Sequence, residues 1–125
     1  MLGDKTAVAM IAVTDLEVGR RFYEETLGLT PVHVEGEEVI VFKSGDAHLN
    51  VYRSEHAGTN QATAVTWSVG ADIEGIVRAL EAKGITFEHY DMPGISREGA
   101  VHIGGGRKVA WFKDPDGNIL SIIDG

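Results

Sequence analysis

The chain has 125 residues, of which 43% are hydrophobic and 24% charged, a composition typical of one globular domain. It contains no cysteine, which excludes disulfides, thiolate zinc sites, iron–sulfur clusters and cysteine nucleophiles. Its 11 basic and 19 acidic residues give a net charge of −8, which opposes nucleic-acid binding and favours a cationic or neutral small ligand.

The first half of the chain predicts one helix among four strands. An apolar run over 7–13 predicts the first strand, and Thr14 and Glu17 have the spacing of a capping box that begins a helix. Gly28 is suited to end that helix in a left-handed cap. Three more strands are predicted over 30–34, 38–43 and 47–53. The order is βαβββ, and we define this module as about residues 6–54.

A polar segment over 54–61 is the predicted linker, and the pattern restarts after it. A strand, a helix and a strand are predicted over 63–69, 72–83 and 85–90. Gly84 follows the helix as its predicted cap. The second module therefore extends over about residues 62–124.

The two halves repeat each other. An offset of 56 residues maps Val8 onto Ala64, and an offset of 71 maps Asn50 onto Ser121. The larger offset indicates an insertion in the second half, which contains residues 91–99 and is too long for a hairpin turn. We expect this segment to be a long loop that covers or rims a site.

Neither half alone can cover both faces of a four-stranded sheet. We therefore predict an α+β fold of two βαβββ modules with pseudo-twofold symmetry, whose curved mixed sheet surrounds a cavity. Alternation along the strands places Ile11, Val13, Leu49 and Val51 under the helices. The opposite faces, toward the cavity, carry Val8, Met10, His48, Asn50, Tyr52, Thr66, Ser68 and Ser121.

Four sequence motifs together resemble a known superfamily. They are VTDLE at 13–17, RFY at 21–23, LGL at 27–29 and WFKDPDGN at 111–118. With the internal repeat, they make nearly the whole chain similar to the vicinal oxygen chelate superfamily, which includes glyoxalase I, bleomycin resistance proteins, extradiol dioxygenases and fosfomycin resistance proteins. Each motif also has a structural interpretation as helix packing, a cap or a tight turn.

The resemblance implies four metal-ligand positions, which fall on Val8, Asn50, Ala64 and Ser121. Two alkyl groups, an amide and a hydroxyl lack the imidazole and carboxylate donors that Mn, Fe, Ni and Zn sites use. The sequence therefore predicts neither a bound metal nor another cofactor. It disfavours metal-dependent glyoxalase or dioxygenase activity.

The resemblance then implies binding or sequestration of a small organic molecule, as in bleomycin resistance proteins. We expect the molecule to be flat, mainly apolar and preferably cationic. The predicted lining is Met10, His48, Asn50, Tyr52, Thr66, Ser68 and Ser121, with Trp111 and the loop residues Met92 and Ile95 closing over the ring. One alternative is a metal-independent lyase, isomerase or hydrolase that uses His48 as acid or base, and another is an inactive domain.

The remaining histidines carry weaker predictions. His33 and His89 are expected to be exposed at strand ends, and His102 precedes a glycine-rich segment interpreted as a flexible connection.

We expect a homodimer that uses the strand edges at 7–13 and 63–69. No apolar run is long enough for a membrane span, and no signal peptide is recognisable, so we expect a cytoplasmic protein without nucleic-acid or membrane partners.

Overall fold

The computed structural model describes residues 1–125. Its contacts divide the chain into two units, Met1–Ala57 and Gly58–Gly125. Each unit is an α+β arrangement with one mixed sheet and one main helix. The longest helix has 10 residues, and no helix is long and apolar enough to cross a membrane.

The first unit contains a four-stranded sheet. Its strands are β1 (Ala9–Val13), β2 (Thr30–Glu35), β3 (Val39–Ser44) and β4 (Ala47–Arg53). Helix α1 (Leu16–Arg21) continues into a π-helical turn over Phe22–Thr26. The strand order is β1-β4-β3-β2, in which β1 runs parallel to β4 and the other pairs are antiparallel.

Helix α1 begins one residue later than the predicted capping box implies. Asp15, and not Thr14, is the N-cap, and its carboxylate accepts the backbone N–H groups of Glu17 at 2.9 Å and Val18 at 3.2 Å. A carboxylate at this position also complements the positive end of the helix dipole. Gly28 adopts a φ of 78°, which confirms the predicted left-handed end of this helical segment.

The buried face of the first sheet is the one that alternation predicts. Ile11, Val13, Leu49 and Val51 are at most 3% exposed. Gly19 allows close packing of α1 on this face, because a Cβ there would approach the methyl groups of Val13 at 3.1 Å. The alternate residues of β1 and β4 therefore belong to the opposite face, which we call the open face.

The second unit contains a larger sheet. After β5 (Thr63–Ser68) come a 3₁₀ turn (Gly70–Asp72) and helix α2 (Ile73–Ala82). The remaining strands are β6 (Phe87–Glu88), β7 (Ser96–Glu98), β8 (Val101–Gly104), β9 (Arg107–Lys113) and β10 (Ile119–Ile123). The order is β5-β10-β9-β8-β7, and β6 also pairs with β9.

The strand pairings of the two units agree with the repeat offsets. In the first sheet Met10 of β1 lies opposite Asn50 of β4. In the second sheet Thr66 of β5 lies opposite Ser121 of β10. Both pairs belong to parallel strands. The offset of 56 residues maps Met10 onto Thr66, and the offset of 71 maps Asn50 onto Ser121. Asn50 and Ser121 therefore hold equivalent positions within their own sheets.

The inserted segment of the second unit differs from the prediction in two respects. The strand predicted over 85–90 pairs only over Phe87–Glu88. The predicted loop at 91–99 contains β7, which forms a hairpin with β8. Both β6 and β8 pair with β9, each along a different part of it. The chain thus leaves the edge of β9 after β6 and returns to it as β8.

The glycine-rich segment before β9 is a tight turn and not the flexible connection that we predicted. Gly104 pairs with Arg107 across the turn, and the two glycines between them have φ values of 57° and 74°. Two consecutive positive φ values are what a two-residue hairpin requires, and glycine adopts them without steric cost.

Candidate functional site

The open face of the first sheet brings together four residues of the predicted lining. His48, Asn50 and Tyr52 alternate with the buried residues of β4, and Met10 is the ladder partner of Asn50. His48 is exposed, Met10 is 52% exposed, and Asn50 and Tyr52 are half-buried. The face therefore combines a thioether and a phenol with an imidazole and an amide.

Asn50 has an unsatisfied side chain at the centre of this row. Its Oδ1 is buried and has no hydrogen-bond partner. Buried polar atoms are nearly always hydrogen-bonded, because their desolvation is otherwise uncompensated. Asn50 is therefore suited to accept a hydrogen bond from a bound molecule.

The second sheet has a face opposite to the buried residues Phe112, Leu120 and Ile122, which we call its open face. It contains Thr66, Ser121 and Trp111 in one row, since Ser121 lies opposite both of the others. Thr66 is exposed, whereas Ser121 is 3% exposed. Ser68 lies two residues beyond Thr66, and its hydroxyl donates to the carbonyl oxygen of Gly125. The hydroxyl of Ser68 therefore already has an acceptor within the chain.

Trp111 is fixed by contacts on its own sheet. Its Nε1 donates to Oγ1 of Thr63 at 3.2 Å. Its ring makes edge-to-face contacts with Tyr90 at 5.3 Å and with His102 at 4.9 Å between centroids. Tyr90 and His102 also contact each other at 6.1 Å. These three residues form what we call the aromatic cluster.

Tyr90 and His102 of this cluster were not predicted as site residues, and His102 is the more buried of the two. It is 2% exposed, and its Nε2 accepts the backbone N–H of Tyr90 at 2.9 Å. Its Nδ1 is buried without a partner. The signal that could have indicated a strand here is the pair of consecutive glycines, Gly105 and Gly106, which suit a hairpin turn between two strands.

The loop residues of the predicted site lie in the β7–β8 hairpin region. The backbone N–H of Ile95 donates to the carbonyl of Met92 at 3.2 Å. The side chain of Ile95 lies directly over Gly104, at a place that a Cβ on that glycine would occupy. Met92 is 38% exposed. Ile95 thus contributes to hairpin packing, and the closing of Met92 over a ligand stays a prediction.

The four positions that the resemblance assigns to a metal do not suit one. Val8 and Ala64 offer no donor atom, and the amide of Asn50 and the hydroxyl of Ser121 are weak neutral donors. No group of three or more His, Asp or Glu side chains in residues 1–125 is placed to hold a metal ion. The donor set therefore does not fit Mn, Fe, Ni or Zn.

A groove and two ion pairs lie outside the predicted site. The groove has a volume of about 290 Å³ beside α1, between Arg20, Val34 and Glu37. The Glu38 carboxylate, which accepts two hydrogen bonds from the guanidinium of Arg53, raises the pKa of that arginine. A hydrogen bond from Lys108 lowers the pKa of Glu74.

Comparisons with known proteins agree with this fold. The family model of the Glyoxalase/Bleomycin resistance protein/Dioxygenase superfamily matches residues 5–122. No curated protein sequence matches the chain significantly.

Solved structures are similar over nearly the full length. Lactoylglutathione lyase from Agrobacterium tumefaciens has a TM-score of 0.73 at 18% identity, covering 100% of this chain and 96% of that one. A mutant of the fosfomycin resistance protein FosX from Listeria monocytogenes, complexed with Mn(II) and 1S,2S-dihydroxypropylphosphonic acid, has a TM-score of 0.73 at 11% identity, covering 100% and 92%. An integron cassette protein from the Halifax Harbour sewage outfall metagenome has a TM-score of 0.71 at 18% identity, covering 96% and 97%. At these identities the likeness shows the fold alone.

Proposed function

The chain belongs to the glyoxalase/bleomycin resistance protein/dioxygenase superfamily, and from this premise we propose that it binds a small, flat, mainly apolar organic molecule without a metal ion. The protein would sequester this molecule, that is, bind it without converting it, as bleomycin-type antibiotic resistance proteins do. Each sheet has an open face that can supply binding groups, and on the first sheet Asn50 is the main hydrogen-bonding side chain.

The observation that carries this proposal is the buried, unpartnered Oδ1 of Asn50. It occupies one of the four positions where metal-dependent relatives need a ligand, and an amide is a poor metal donor but a good hydrogen-bonding group. Next to it, Met10 is 52% exposed. A polar atom that fixes orientation beside apolar surface is typical of organic-ligand sites.

The aromatic cluster and the net charge support the choice of ligand. Half-buried Tyr90 and Trp111 offer ring surface for stacking on a flat molecule. The net charge of −8 attracts cations over a Debye length of about 8 Å at physiological salt. We therefore expect a cationic aromatic molecule to bind more tightly than its neutral counterpart, and added salt to reduce that difference.

Tryptophan fluorescence tests the proposal, because Trp67 and Trp111 are the only two indoles. Trp67 lies opposite Ile122, which is 3% exposed, and so belongs to the buried face. We expect 1-methylquinolinium to change the emission of the Trp67→Phe variant with micromolar affinity or tighter, through Trp111. The Trp111→Phe variant should retain a much smaller signal.

The same titrations separate the alternatives. If neither 1-methylquinolinium nor neutral naphthalene binds, the binding proposal is wrong and the inactive-domain hypothesis replaces it. Catalytic turnover that is abolished in His48→Asn would instead favour the metal-independent enzyme.

The homodimer and the cytoplasmic location stay predictions. Light scattering of the purified protein tests the first, and β1 and β5, which end their sheets, are the proposed contact edges.

A further inference from the structure

We propose that Nδ1–H of His102 is a hydrogen-bond donor that recognises an uncharged acceptor atom in the plane of the ligand ring. The ligand class would be planar molecules with a ring nitrogen or a ring carbonyl oxygen. This inference rests on the proposed function, since it names the chemistry of the molecule bound. All of the residues involved lie in the second unit.

The donor is assigned by the hydrogen bond on the other side of the imidazole. Nε2 of His102 accepts the backbone N–H of Tyr90 at 2.9 Å, so this nitrogen carries no proton. In the neutral ring the proton is then on Nδ1. Because Nδ1 is buried and has no partner, His102 presents an N–H donor that nothing in the protein satisfies.

The surroundings of His102 suit a flat ring. Trp111 meets His102 at an interplanar angle of 78° and Tyr90 at 73°, and its indole is anchored by Thr63. Tyr90 follows the short strand β6 and contacts both rings. A ligand ring that reached Nδ1 would lie beside the rings of Tyr90 and Trp111, whose centroids are 6.1 and 4.9 Å from that of the imidazole.

Charge selects among the acceptors that could meet this donor. Carboxylates and phosphates accept hydrogen bonds well, but the net charge of −8 repels them. Heteroaromatic nitrogens and ring carbonyls accept without negative charge, and they lie in the ring plane. The same molecule can therefore place its ring in the cluster and its acceptor on Nδ1.

Two substitutions test the roles of Nδ1 and Nε2 of His102 one at a time. In His102→Gln, the amide oxygen replaces Nε2 at the ε position and can still accept the N–H of Tyr90, while the group at the δ position is lost. In His102→Asn, an amide N–H replaces Nδ1 at the δ position, while the acceptor for Tyr90 is lost. The first variant removes the proposed ligand contact, and the second is its matched control.

Quinoline and naphthalene are the probes, because they have nearly the same shape and differ by one ring nitrogen. We measure both dissociation constants by calorimetry at a pH where quinoline is neutral. The ratio of the two constants cancels the different hydration of the probes when the proteins are compared. We expect His102→Gln to reduce the preference for quinoline about fivefold, as for one net hydrogen bond, and His102→Asn to keep it within about twofold of the wild type.

The outcomes are distinguishable. If both probes bind but the ratio is unchanged in His102→Gln, the subsite is wrong and the proposed function stands. If neither probe binds the wild type, the subsite is wrong, and the titration with 1-methylquinolinium decides the proposed function separately. An independent measurement needs no ligand: ¹⁵N NMR of the histidine rings should show the proton of His102 on Nδ1, and a proton on Nε2 would overturn the inference.

Discussion

Asn50 and Ser121 hold equivalent ladder positions in the two sheets, one opposite Met10 and the other opposite Thr66. They differ in what they offer a ligand. Asn50 has a buried carbonyl oxygen without a partner, whereas Ser121 has a shorter side chain and is 3% exposed. We therefore expect the two equivalent positions to contribute unequally to binding, with Asn50 as the larger contributor.

Replacing Asn50 tests this directly. We expect Asn50→Ala to weaken the binding of 4-amino-1-methylquinolinium, whose amino group can donate a hydrogen bond to Oδ1, by about 1–2 kcal/mol, the size of a lost buried hydrogen bond, and Ser121→Ala to weaken it less. Calorimetric titration measures both affinities. Asn60→Ala is the matched control, because the Asn60 side chain only accepts the backbone N–H of Ala62 in the linker. Equal affinity in all four proteins would contradict the role of Asn50.

The metal content of the protein is the second prediction. Purified without chelators or nickel columns, it should contain well below one equivalent of Mn, Fe, Ni or Zn by elemental analysis, because the four positions that the resemblance assigns to a metal lack suitable donors. Adding Mn²⁺ or Zn²⁺ should leave the midpoint of thermal unfolding unchanged, since a tightly bound ion would raise it. A full equivalent that disappears in Asn50→Ala would return metal chemistry to this site.

Much of the fold could be predicted because its signals are local. The strand predicted over 47–53 is observed as Ala47–Arg53, since Leu49 and Val51 alternate with polar residues between two turns. The way in which β6 and β8 pair with different parts of β9 could not be predicted. Which strand pairs with its edge depends on contacts distant in sequence, so the short pairing of β6 and the return of the chain as β8 have no local signature.

In the candidate site, too, local patterns could be predicted from the sequence, whereas contacts between distant segments could not. Alternation along the strands predicted that Met10 and Asn50 share a face, and the structure pairs them in one ladder. The burial of His102 depends on β8 pairing with β9 and on contacts from Tyr90 and Trp111. Its glycine-rich neighbourhood favours a loop when only local composition is considered, so the sequence directed attention to His48 instead.

The turn between β9 and β10 should be a major source of stability. Asp114 is 5% exposed, and its carboxylate accepts the backbone N–H groups of Asp116 at 3.0 Å and Asn118 at 2.9 Å. It also accepts the side-chain amide of Asn118 at 2.8 Å. Asp114→Ala would remove these three hydrogen bonds, so we expect a loss of about 2–3 kcal/mol in the free energy of unfolding.

Asp46, in the turn between β3 and β4, provides the control for this prediction. It is also a turn aspartate, but it is exposed. Asp46→Ala should change the free energy of unfolding by no more than about 0.5 kcal/mol in the same urea titration. Similar losses in both variants would show that the buried hydrogen bonds of Asp114 contribute little.

The ion pair between α2 and β9 predicts a defined pH dependence. Nζ of Lys108 donates to Oε1 of Glu74 at 2.7 Å, which lowers the pKa of Glu74 from its ordinary value of 4.5 and raises that of Lys108 from 10.5. The contribution of Glu74 is present above pH 4.5 and is lost as the pH falls through the lowered value. That of Lys108 is present below pH 10.5 and is lost as the pH rises through the raised value.

We therefore expect Glu74→Gln to lower the thermal midpoint at neutral pH, and this difference from the wild type to disappear in strong acid. High salt should reduce it as well, because both side chains are partly exposed. Glu81→Gln, on the exposed part of the same helix, should show no such dependence. A Glu74→Gln difference that stays constant down to pH 2 would contradict the ion-pair assignment.

Alanine substitutions at Gly58 and Gly28 distinguish the cost of backbone strain from the cost of steric overlap. Both have a left-handed φ, of 72° and 78°. A Cβ on Gly28 would meet nothing within 4 Å, whereas a Cβ on Gly58 would overlap the backbone carbonyl oxygen of Asp116. Gly28→Ala should thus cost only the left-handed strain, about 1–2 kcal/mol. Gly58→Ala should cost about 1–3 kcal/mol more, because a backbone group must move. Urea unfolding of both variants measures the difference, and equal losses would show that the turn at Asp116 adapts freely.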